Sequence, residues 1–279
     1  MTPNGWDRAD VEHAYRQHLT SSDRALLADV ASDRSLVAAL ASAELETVVF
    51  GQQASLVPTH VASPFLTFAV AVHRAGERLA EATYVNEWVA PRQRVPVFGV
   101  ERLRQLLAEP MQKFFFVELL ASYTHVVSGS TWTATRRGWR RRRFSELDPV
   151  QLAGLLETVP AAERPGVLRR LGDLALFLTG VFPDHTASTP LGHSVMLLRS
   201  AGLDPARSAA VVEDSFSLME TLGARWYRLA SRLSPAPSGS VVALGAIADA
   251  FADARRILNL ITDAYLFPLR EQWFGRPAA

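Results

Sequence analysis

Prolines at the heads of apolar segments constrain this chain more than any other feature of its sequence. Pro110, Pro149, Pro165 and Pro205 each precede a run of apolar residues, and Asp148 and Asp204 stand directly before two of them. Proline lacks the amide hydrogen that the first turn of a helix leaves unbonded anyway, and its fixed φ suits that turn. An aspartate just ahead of it can accept from the orphan amides. The spacing therefore predicts helices over 110–127, with Gly129 as terminator, and over 149–158, 165–182 and 205–233.

A further helix is expected over 100–109. Beyond the Ser/Pro/Gly-rich linker at 234–239, Leu244, Ile247, Ala248, Phe251, Leu258, Ile261 and Tyr265 recur at three, four or seven along one face, so a last helix should end near Pro268. The N-terminal fifty residues read as three short helices, 10–19, 22–30 and 33–41, each beginning near an Asp or Ser. In Phe65–Arg74 the residues Leu66, Phe68, Val70 and Val72 alternate, as a half-buried strand requires. With a turn at Ala75–Arg78 and a Thr/Tyr/Val/Trp-rich stretch to Val89, this predicts an antiparallel hairpin over 65–89; Arg92–Phe98 would add an edge strand, because Pro96 cannot donate to a ladder. The fold expected is mainly α: a helical bundle over 100–279 and a small N-terminal α/β element over 1–99 containing the hairpin, the two joined as separate or continuous domains. No internal repeat is present.

Composition removes several chemistries. The 279 residues include no cysteine, so disulfides, a thiolate nucleophile and cysteine-based zinc or iron–sulfur sites are excluded. No Gly-x-Gly-x-x-Gly, Walker loop, Gly-x-Ser-x-Gly or His-Glu-x-x-His occurs, leaving nucleotide-fold, serine-hydrolase and zincin readings without support. The longest apolar run, Leu174–Pro183, extends back to Leu171 only by including Gly172 and Asp173, short of the ~18 residues of a membrane span. Met1–Asp10 holds no apolar signal segment, and the expected location is cytoplasmic.

Charge is concentrated. Without Arg136, Arg137 and Arg140–Arg143 the 29 basic residues become 23 against 28 acidic ones, a balance of −5 where the whole chain carries +1. The segment Arg136-Arg137-Gly138-Trp139-Arg140-Arg141-Arg142-Arg143 forms a connector between the helices expected to end at 127 and begin at 149. Guanidinium forks bind phosphate or carboxylate bidentately, and Trp139 can stack on a base, so nucleic acid or another polyanion is the partner this segment suits. Its arginines could equally lie on a solvated hairpin or loop and pair with the chain's own acid, including Glu146 and Asp148. On this reading the chain is a non-enzymatic binding or regulatory protein that contacts an anionic partner through Arg136, Arg137, Trp139, Arg140, Arg141, Arg142 and Arg143.

A rival constellation is Glu118, Ser122 and His125, spaced along one stripe of an otherwise apolar helix. Imidazole as ligand and carboxylate as base are what a haem or iron pocket in a bundle would use, with His193 as a further ligand, giving an oxygenase-like enzyme. No additional Glu-x-x-His element completes such a site, and a structural role is the expected one for each of the seven histidines. Asp249 and Asp253, four apart, could hold magnesium only if a second acidic cluster faced them. Asp173, inside an apolar helix, calls for a partner, and Arg169 and Arg170 stand one turn away. Trp226, Tyr227 or Trp273, if exposed, would favour a homo-oligomer.

Two segments, Glu118–Thr124 (ELLASYT) and Arg169–Asp184 (RRLGDLALFLTGVFPD), resemble stretches of uncharacterised helical proteins encoded by high-GC actinobacteria. The resemblance covers the middle third of the chain and implies an origin, in keeping with Lys113 as the sole lysine, but no activity or cofactor.

Overall fold

Side-chain oxygens open several helices of this chain. In the computed structural model, which describes residues 8–31, 34–51, 62–125, 128–135, 138–190, 194–208, 214–234 and 239–267, α1 (Arg8–His18) and α2 (Ser21–Ala31) come first. Ser35, Ser42 and Ser63 then accept from the amides of Ala38, Leu45 and Leu66, opening α3 (Leu36–Leu40), α4 (Ala43–Phe50) and α5 (Pro64–Glu81). β1 (Tyr84–Ala90) and β2 (Gln93–Phe98) form a two-stranded hairpin whose turn carries Arg92 at φ +61°. The architecture is a mainly α-helical bundle with this small hairpin.

Contacts divide the described residues into two units, one within Met1–Glu87, Arg94–Thr124 and Arg256–Ala279, the other within Trp88–Gln93 and His125–Arg255. The first unit is built on α5, which packs against α3, α4, α6 (Glu101–Ala108) and α7 (Pro110–Ser122). Phe65, Leu66, Phe68, Ala69, Val70, Ala71 and Val72 of α5 are all buried, as are Phe114–Val117, Leu119 and Leu120 of α7.

The second unit begins with β3 (Ser128–Thr135) and β4 (Gly138–Ser145). Then follow α8 (Pro149–Leu155), α9 (Arg164–Val181), α10 (Pro183–Ser188), α11 (Ser194–Ser200), α12 (Pro205–Ser208), α13 (Ser215–Leu233) and α14 (Gly239–Asp249). Its central contact is α9 on α13, brought close by two glycines. A Cβ on Gly172 would lie 2.5 Å from the Tyr227 ring, and one on Gly223 would lie 2.4 Å from the Phe251 ring and 2.8 Å from Ala175 Cβ. Asp184 accepts from Trp88 Nε1 at 2.6 Å and from the Arg92 amide at 3.2 Å, while Trp88 stacks on Phe216. The chain continues from this unit into α15 (Phe251–Ile261), which ends in a π turn, Thr262–Leu266. No helix among the described residues is long and apolar enough to cross a membrane.

Several expectations need correction. Residues 65–74 are not a strand but the first half of α5, and the hairpin is the 84–98 segment. Alternation misled there because Phe65–His73 of α5 are buried on every side, so the period of that stretch carries no information; Ser63-Pro64, a cap followed by a first-turn proline, is the signal that distinguishes it. The helix opened by Pro110 ends at Ser122, with Tyr123 at its C-cap, and Gly129 lies in β3. The segment from Pro205 is not one helix to 233: α13 starts anew where Asp214, in an extended conformation, accepts from the Ser217 amide at 2.8 Å.

Candidate functional site

The arginine-rich segment lies on an antiparallel ribbon. The β3–β4 register runs from Ser128 opposite Ser145 to Thr135 opposite Gly138, and Gly138 takes φ +109°, a conformation glycine adopts without penalty. Trp139, Arg140, Arg141, Arg142 and Arg143 fill five successive positions of β4. Because the pleat alternates, positions 139, 141 and 143 share one face with Ala134, Trp132 and Ser130, and positions 140 and 142 share the other with Thr133 and Thr131. The partner strand SGSTWTAT contains no charged residue, so no carboxylate stands opposite an arginine across the ladder.

Two acids follow the ribbon in sequence, Glu146 and Asp148. Glu146 accepts from Arg170 at 3.0 Å, and Asp148 caps α8 through Oδ1, accepting from the Val150 and Gln151 amides, while Oδ2 accepts from Gln151 Nε2. The ribbon packs against α8. Arg136 and Arg137 lie outside the described residues.

Glu118 and His125 do not share a helical stripe. Glu118 sits on α7, partly exposed, with His18 Nε2 of α1 4.0 Å from its carboxylate; His125 lies beyond the end of α7 and is exposed. His193 falls outside the described residues. Among the described residues no group of three or more His, Asp or Glu side chains is placed to hold a metal ion. Asp249 closes α14 and accepts from Arg228 at 3.1 Å, whereas Asp253 stands in the first turn of the next helix.

The polar cluster that sequence reasoning missed is in the first unit. Tyr15 of α1 and His73 of α5 are both buried, with Tyr15 Oη 3.0 Å from His73 Nε2, and Tyr15 packs edge-on against Phe65 and Phe114. His73 Nδ1 has no hydrogen-bond partner among the described residues. Burial, helped by the nearby Lys113 ammonium, holds the His73 pKa down at about 3, so the ring is neutral. Burial and the Glu118 charge raise that of Tyr15, and burial lowers that of Lys113. A histidine amid alternating apolar residues was the only hint available in the sequence. What joins it to Tyr15 is tertiary packing across 58 residues.

Asp173 is buried and accepts from Tyr227 Oη at 2.9 Å, with Arg169 Nε 4.0 Å away. The partner expected from its own helix is therefore present, and a hydroxyl from α13 lies closer. Trp226 and Tyr227 are both fully buried, so neither is an exposed aromatic for oligomerisation; Trp273 is outside the described residues. His185 is part of α10. No protein-family model, no curated protein and no solved structure matches this chain, so a functional reading rests on the residues and their geometry.

Proposed function

We propose that this protein binds an anionic polymer, nucleic acid foremost, through the arginine-bearing ribbon, and that it acts by binding. The observation that carries the reading is the absence of any acid across the ladder from four consecutive arginines. Same-face arginines on a strand stand about 7 Å apart, twice the rise per residue. Their mutual repulsion is relieved by an external polyanion. A two-stranded ribbon is also narrow enough to enter the major groove of a duplex, and with arginines on both faces it can reach the phosphates on either wall. Indole at position 139 adds a surface on which an unpaired base can stack.

The test is the salt dependence of binding to a duplex and to a single-stranded oligonucleotide, measured by fluorescence anisotropy for the wild type and for a variant with Arg140–Arg143 replaced by alanine. Each arginine that neutralises a duplex phosphate contributes about 0.9 to the slope of log K against log salt. The variant should lose affinity, and its slope should flatten by up to about 3.6. Equal affinity and equal slope in the two proteins would sink the reading, and a Soret band or stoichiometric iron in the purified protein would favour the haem or iron enzyme in its place.

A further inference from the structure

In the second unit, residues of α8, α9, α11 and α13 line an open cavity of about 720 Å³. That volume lies within the range of sites for small organic ligands. Its walls are apolar, with Leu156, Leu168, Met196 and Leu229 contributing, and at its edge Val195 and Leu233 remain 47% and 54% exposed. Water gains little in such a space, because it finds few polar partners there.

The polar side chains on the lining are few: Glu157, Arg164, Arg199 and Ser200. Ser200 Oγ donates to the Leu197 carbonyl at 2.7 Å and accepts from Trp226 Nε1 at 3.0 Å. The two guanidinium groups are not committed. Arg164 and Arg199 line the cavity, are exposed, and have no hydrogen-bond or ion-pair partner among the described residues. Other arginines of this unit are bonded: Arg170 to Glu146, Arg225 to the Ala201 carbonyl, Arg228 to Asp249 and Arg255 to Glu220. Glu157 is the one carboxylate on the lining, and it pairs with neither Arg164 nor Arg199. The lining therefore combines an apolar interior with a net positive charge.

We infer that this cavity binds a single-chain amphiphilic anion, an alkyl carboxylate whose chain lies along the leucines and Met196 and whose head group is taken by Arg164 and Arg199. Apolar volume alone would accept any oily molecule. The two uncommitted forks select for a carboxylate, which accepts charge-assisted hydrogen bonds that an alcohol accepts weakly and a quaternary ammonium cannot accept. The inference is independent of the arginine ribbon, since the two sets of residues do not overlap.

Isothermal titration calorimetry of the full chain with octanoate, decanoate and dodecanoate, each below its micellar concentration, tests it. One carboxylate should bind per chain, with affinity rising about fourfold for each added methylene, and dodecyltrimethylammonium should not bind. The R164Q/R199Q variant should bind dodecanoate at least about tenfold more weakly, the loss expected for charged hydrogen bonds. L229W, which fills the cavity, should abolish binding. Both arginines are exposed, so the glutamine variant keeps the test decisive even if L229W fails to fold. Absence of dodecanoate binding, binding unaffected in R164Q/R199Q, or equal binding of the cationic amphiphile would each overturn the assignment.

Discussion

Lowering the pH from 7 to 4.5 will destabilise this protein through His73 by an amount that can be worked out in advance. The ring is 2% exposed, and burial first, with the Lys113 charge second, brings its pKa from 6.5 to about 3. In the unfolded chain the imidazole takes up a proton near pH 6.5, whereas in the folded chain it does not until about pH 3. Between those values the unfolded state binds more protons, so the stability contributed by a neutral His73 is complete above pH 6.5 and is lost as pH falls toward 3. The loss approaches about 1.4 kcal/mol per pH unit, hence roughly 2.7 kcal/mol between pH 6.5 and 4.5. Carboxylates also titrate in part of this range, so the assay is a difference: urea unfolding of wild type and of His73→Gln at both pH values. The wild type should lose about 2 to 3 kcal/mol more than the variant. A ring signal of His73 in the folded protein that titrates between pH 6 and 7 by NMR, or equal losses in the two proteins, would refute the reasoning.

Gly172→Ala should lower stability by about 1 to 3 kcal/mol, because the added methyl must displace the Tyr227 ring that now lies 2.5 Å from its position and the α9–α13 contact has no slack; thermal unfolding measures it. Tyr227→Phe deletes the 2.9 Å hydrogen bond to the buried Asp173 carboxylate and should lower stability by about 1.5 to 3 kcal/mol. An unchanged unfolding midpoint would mean that the carboxylate is satisfied without the Tyr227 hydroxyl.

Local chemistry wrote the helix starts into the sequence. Asp148-Pro149 opens α8, and Pro110 and Pro165 begin α7 and α9, because capping and the first turn depend on a few adjacent residues. The mainly α architecture was legible for the same reason. Period analysis failed where burial is complete: α5 alternates along Leu66, Phe68, Val70 and Val72, yet Thr67, Ala69 and Ala71 between them are buried as well.

The candidate sites were legible only as lists of residue types. Four arginines in a row declare a charge, but nothing local makes GWRRRRFS a strand; its pairing with the uncharged Ser128–Thr135 does, and that pairing decides which residue stands opposite each arginine position in the ladder. Glu118 and His125 lie seven apart in sequence, but the helix ends between them, and the imidazole that approaches Glu118 is His18, from another helix. Tyr15 meets His73, and Arg164 and Arg199 come to line one pocket, across long stretches of chain. Backbone preference acts over a few residues and so can be read along the chain, whereas burial, the loss of a neighbouring charge and the shape of a cavity are set by segments that only folding brings together.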